Sequence, residues 1–198
     1  MSKGSSRFGR GKASRSYKRR FLLICEGDVT EPDYFNQLRM LYRDSLIELK
    51  CLNRQHSGPH SLIKRANQAK HDLQKGDELW IILDVDEWTD DQFMALEKWS
   101  SQQENYHVAV SKPCFEIWLI FHEKNPNNCS KKACQAYFER NIASGEKGLR
   151  ANWLTPDKLQ VAISRAKARD TRPQGIVPDA PTSRVYLLIE NIDEASSV

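Results

Sequence analysis

Two short apolar runs constrain this 198-residue chain more than any other feature. "FLLIC", Phe21–Cys25, and "LWIIL", Leu79–Leu83, are apolar at every position. A short run without alternation reads as a strand covered on both faces, the way central strands of a parallel sheet are built. Both runs stop on acids. Glu26 follows the first, and Asp84 and Asp86 follow the second.

Helical patterns separate the strands. Thr30, with Pro32 in the first turn and Asp33 three residues on, reads as the N-cap of a helix running to about Tyr42, with Phe35 and Leu38 on one face. Leu46–Leu52 alternates as a second strand. The loop "NRQHSGPH" leads into a helix from about Ser61, stopped by Gly76. Thr89 and Gln92 have capping-box spacing, and His107–Val110 forms a fourth short strand. Three strand–helix alternations with brief connections predict an α/β fold, a parallel sheet of about four strands flanked by helices. The remainder reads as a helical extension: Cys114–His122, Ser130–Asn141, Pro156–Arg169 behind Thr155, and Ser183–Asn191. The expected organisation is a basic tail over 1–20 and one domain over 21–198, with its core in 21–122 and the extension in 123–198.

Charge divides the chain at the same boundary. Eight bases and no acid precede Phe21, whereas the other 178 residues carry 22 bases and 26 acids. The tail, Arg19 and Arg20 included, could track a phosphate backbone or serve only as a solvated leader. No apolar run reaches the length of a membrane span and the start is polar, so a soluble cytoplasmic protein with no membrane partner is expected. Five cysteines without a C-x-x-C pair fit a reducing compartment. A zinc site from His122, Cys129 and Cys134 is conceivable, but small buried thiols and a satisfied core histidine are the plainer reading.

The acidic strand ends carry the chemistry. If the first and third strands are neighbours, Glu26, Asp84 and Asp86 converge at the carboxyl edge of the sheet, where α/β folds place ligands. Two carboxylates about 4 Å apart repel by roughly 4 kcal/mol at an effective dielectric near 20. A hard divalent cation such as Mg²⁺ would offset this. Gly27 would let a phosphate approach the backbone, and the following helix aims its positive N-terminus at the same region. Taken singly, each acid has a structural explanation: Asp86 as a turn residue, Glu31 and Asp33 as first-turn helix acids, Glu87 as part of a solvated helix start.

"CEGDVTEPDYF" (Cys25–Phe35), "DVDE" (Asp84–Glu87), "SKPCFEIWLIFH" (Ser111–His122) and "PTSRVYLLIENI" (Pro181–Ile192) together resemble the RloB-like family in order and spacing. The resemblance implies a TOPRIM-like, Rossmannoid catalytic fold, with Glu26 as its glutamate and Asp84 and Asp86 as its DxD pair. It implies Mg²⁺ or Mn²⁺ as cofactor and Glu116 as a further acid or second-metal ligand. It further implies a nuclease effector of bacterial phage defence by abortive infection, working beside an ABC-type ATPase. Lys112, Arg165 and Lys167 are candidates for the basic residue such nucleases use.

A polyanionic substrate, DNA or RNA, needs basic surface around so acidic an edge. The tail and the run Arg165, Lys167, Arg169 and Arg172 are the candidates; the run could equally be a solvated face. There is no Walker A motif and no Rossmann glycine fingerprint, so an ATP requirement would lie with a partner. Two other readings stay open: a non-catalytic subunit that binds nucleic acid or regulates an ATPase, and a phosphatase with an aspartyl nucleophile.

Overall fold

The computed structural model describes residues 18–52, 59–85, 88–145, 148–171 and 174–197. The tail before Lys18, the 53–58 loop, Asp86, Glu87 and Arg172 lie outside these residues. The chain runs β1 (Arg19–Cys25), α1 (Thr30–Leu41), β2 (Ile47–Cys51), α2 (Pro59–Ala69), continued by a 3₁₀ turn over Lys70–Asp72, and β3 (Glu78–Asp84). Then follow α3 (Asp90–Ser100), β4 (Tyr106–Lys112), α4 (Glu116–Glu123), α5 (Lys131–Asn141), a hairpin of β5 (Ala143–Ser144) and β6 (Gly148–Leu149), α6 (Pro156–Arg169), β7 (Thr182–Ser183) and α7 (Val185–Ser196).

Among the described residues one sheet has the order β2-β1-β3-β4-β7. Its first four strands are parallel, and β7 pairs antiparallel with β4. Strand alternation explains the unbroken apolar runs. Phe21, Leu23 and Cys25 join Trp80 and Ile82 in a core under α1 and α4–α7. Leu22 and Ile24 join Leu79, Ile81 and Leu83 in a second core under α2 and α3. With helices on both faces, the runs Phe21–Cys25 and Leu79–Leu83 are apolar on either side.

The path of the chain locates the site. From β1 it crosses to β2 on one side, then returns past β1 to β3 on the other. The order therefore reverses between β1 and β3, and helices leave in opposite directions there. A crevice at the carboxyl ends of such strands is where doubly wound folds bind ligands.

Several local expectations are corrected. The sheet has a fifth strand, because the backbone before α7 is drawn onto β4: Arg184 N–H donates to the Val110 carbonyl at 3.0 Å, and the Ser111 and Ser183 hydroxyls lie 2.9 Å apart. That places the start of α7 at Val185 rather than Ser183. Thr30 is the first helical residue and not a cap; Val29 is the N-cap, and no side chain caps it. Asp33 instead accepts the Leu149 N–H at 2.6 Å, tying α1 to β6. The capping box of Thr89 and Gln92 forms, and Thr155 caps α6 with Pro156 in the first turn.

Candidate metal centre at the sheet edge

Glu26 remains in the ladder as β1 ends, its N–H donating to Ile82 O at 3.0 Å. Its side chain turns toward β3. One carboxylate oxygen accepts the backbone N–H of Asp84 at 2.9 Å, and the other accepts the indole N–H of Trp88 at 3.0 Å. Two donors thus fix the plane of the Glu26 carboxylate against the residue that ends the neighbouring strand. Asp84 is itself held in register opposite Ser111 of β4. The convergence of Glu26 and Asp84 follows from the parallel pairing of β1 with β3.

Glu116 reaches the same edge from the first residue of α4. Its charge, like that of Asp84, acts on the Cys114 thiol. Hydrogen bonding to Cys134 and burial push that thiol well above its ordinary range, and the charges of Glu116 and Asp84 push it further.

Glu31 is the acid that the sequence misrepresents. It reads as an ordinary first-turn helix acid, and it is 6% exposed. Its carboxylate reaches back four residues to accept the Gly27 N–H at 3.1 Å. Burial raises its pKa from 4.5 to about 7, against hydrogen bonds that favour the charged form; Glu116 and Glu26 add like-charge repulsion. The faint signal was the "EG-x-x-x-E" spacing, in which a glycine is approached by a side chain one helical turn on. The space beside Gly27, expected for a phosphate, is filled by this carboxylate.

Arg65 was not anticipated either. From α2 its guanidinium donates to the carbonyls of Cys25 (3.2 Å) and Leu52 (2.8 Å), joining the ends of β1 and β2. It lines a cavity of about 110 Å³ with Gly27, Asp28 and Pro32. This brings a cation to the turn that follows Glu26.

The basic residues singled out in the sequence go elsewhere. Arg19 pairs with Glu78, and Arg20 with Asp77 (Nε–Oδ2 2.8 Å), at the start of β1. At about 3.3 Å per residue, this edge is on the order of 20 Å from Glu26. Arg165 donates to the Phe121 carbonyl at 2.6 Å, satisfying the end of α4, and Lys167 pairs with Glu190 of α7 at 2.7 Å. Lys112 stands at the carboxyl end of β4, but its ammonium donates to the carbonyls of Pro178 (3.2 Å) and Asp179 (3.0 Å). The zinc alternative does not assemble. The His122 ring nitrogens lie 2.9 Å from Trp118 O and 3.3 Å from the Tyr34 hydroxyl. Burial lowers its pKa to about 3. Cys134 is hydrogen-bonded to Cys114, and Cys129 lies against Arg169.

Among the described residues no group of three or more His, Cys, Asp or Glu side chains is drawn together tightly enough to hold an ion. Asp86 lies outside them. By kind, the donor set fits a hard divalent cation: Glu26, Asp84 and Glu116 offer only carboxylate oxygens, and a carboxylate has lone pairs beyond those used by two N–H donors. The like-charge repulsion at Glu31 is the field such a cation would relieve.

No curated protein and no solved structure matches the chain. The family model described as RloB-like protein matches residues 21–192, from the first residue of the "FLLIC" run into α7, and the chain belongs to the RloB-like family.

Proposed function

We propose that this protein is a divalent-metal-dependent nuclease of TOPRIM type, hydrolysing phosphodiester bonds in DNA or RNA. One observation carries the reading: Glu26 and Asp84 end adjacent parallel strands at the point where strand order reverses, and the Glu26 carboxylate is bonded to the Asp84 backbone. Glu26, Asp84 and Asp86 would hold Mg²⁺ or Mn²⁺, with Glu116 on the α4 side. When bound, the cation supplies Lewis-acid stabilisation of charge on the phosphoryl group. The protein's own contribution is orientation. The Trp88 indole and the Asp84 N–H hold Glu26 in one rotamer, so its oxygens need no reorganisation when a ligand arrives. Arg65 places positive charge beside the same turn, where a polyanion would pass.

Family membership supports an effector role in phage defence beside an ABC-type ATPase. The chain has no nucleotide-binding motif of its own, so control through a partner is consistent with it. The test is incubation of the full chain with plasmid DNA and with tRNA, in Mg²⁺, Mn²⁺ or EDTA, with and without the partner ATPase. Cleavage is expected only with metal, more strongly with the partner, and is lost in Asp84→Asn. Metal-independent cleavage, or full activity in Asp84→Asn, refutes the reading. Binding without turnover under every condition assigns the chain to a regulatory subunit instead.

A further inference from the structure

Position 27 is glycine for a reason that backbone geometry does not supply. Positive φ occurs at Gly76, Gly145 and Gly175, but not at Gly27. The constraint is steric. A Cβ built on Gly27 would overlap one oxygen of Glu31, with the carboxyl carbon at 2.5 Å and the other oxygen at 2.6 Å. The same carboxylate accepts the Gly27 N–H. Glu31 therefore covers the Cα of the residue after Glu26 and bonds the peptide joining Glu26 to it.

We infer that Glu31 is a positioning residue: its buried carboxylate clamps the Glu26–Gly27 peptide, and this clamp sets the direction from which Glu26 enters the centre. Glu26 is held at three points. Its N–H is bonded to β3, its carboxylate to Asp84 and Trp88, and the peptide after it to Glu31. The first two come from β3 and the segment just after it, more than fifty residues on. The third comes from the first turn of α1, so it locks strand to helix across a turn of four residues, Glu26–Val29. Without it, the peptide after Glu26 loses its tie to α1, and the carboxylate keeps its bonds to Asp84 and Trp88 less persistently. The clamp and the glycine are one device, since any side chain at 27 expels the carboxylate. The functional consequence rests on the metal-centre reading; the clamp itself does not.

The experiment compares the full-length protein with Glu31→Ala, Glu31→Gln, Gly27→Ala and the Gly27→Ala/Glu31→Ala double variant. Amide hydrogen exchange at residue 27 is measured without metal, then Mn²⁺ affinity by calorimetry. Exchange should quicken on the order of tenfold in Glu31→Ala and stay near wild type in Glu31→Gln, whose amide oxygen can still accept the N–H. Gly27→Ala should quicken exchange similarly, and the double variant should be no worse than either single, because the two changes remove one interaction. Mn²⁺ affinity should fall in Glu31→Ala and recover in Glu31→Gln. Unchanged exchange in Glu31→Ala, or additive effects in the double variant, overturns the clamp. A clamp that behaves as described in a protein showing no Mn²⁺ response upholds the clamp and refutes the metal centre.

Discussion

Replacing Glu31 by glutamine should change how stability depends on pH, with a sign the structure determines. Burial holds the folded pKa at about 7 against 4.5 for a free carboxyl. Between these values the folded protein keeps a proton that the unfolded chain releases. Where the native state binds more protons, stability falls as pH rises. The loss begins near the unfolded value and is complete just above the folded one. The gap between about 7 and 4.5, at about 1.36 kcal/mol per unit of pH, amounts to on the order of 3 kcal/mol. Glutamine carries no titratable proton, so this component disappears. Urea unfolding of wild type and Glu31→Gln, without metal, at about pH 5 and about pH 8 measures it. The variant should lose less stability than wild type between the two conditions. Parallel curves would show that Glu31 titrates like a solvated acid and would refute its burial among like charges.

Glu26→Gln should abolish cleavage and also destabilise the metal-free fold by about 1–3 kcal/mol in urea melts, since an amide NH₂ must face either the Asp84 or the Trp88 N–H. Mg²⁺ at 100 times its Kd should stabilise wild type by about 2.7 kcal/mol and leave Asp84→Asn unmoved; equal thermal shifts in the two would place the ion elsewhere. Arg20→Ala should cost about 3–5 kcal/mol, because Asp77 is fully buried and loses the guanidinium that balances its charge. It should leave the salt dependence of nucleic-acid binding unchanged. Deleting the residues before Lys18 should instead preserve the denaturation midpoint and flatten the log–log salt slope by about 0.9 for each duplex phosphate that the tail no longer neutralises.

The core strands were legible because their cause is local. A strand covered on both faces must be apolar at every position, and Phe21–Cys25 and Leu79–Leu83 show it. An acid directly after such a run has nowhere to go but the sheet's edge, so Glu26 and Asp84 could be named as strand-end acids from sequence. Their adjacency needed only the assumption that β1 and β3 pair, and they do. The capping box at Thr89 is equally local. Where a distant partner competed, local signals failed. Asp33 has the spacing of a cap, but an N–H 116 residues away takes it. Ser183 has a helical context, but β4 draws it into the sheet.

Charged residues divide along the same line. A sequence states that a side chain can carry charge; it does not state what the surroundings do with it. Arg20, Arg165 and Lys167 read as candidate nucleic-acid contacts or a solvated face, and their side chains are bonded to Asp77, to a helix-end carbonyl and to Glu190. Arg65, unremarkable in α2, reaches the end of β1 across 40 residues. Glu31 reads as an ordinary first-turn helix acid and is buried against Gly27. The sequence alone determined which residues end the strands, because backbone periodicity and burial are set within a few neighbours. Only the tertiary structure decided which charges are paired, buried or brought to the centre, because the energy of a charge depends on its solvation and on partners whose distance along the chain is arbitrary.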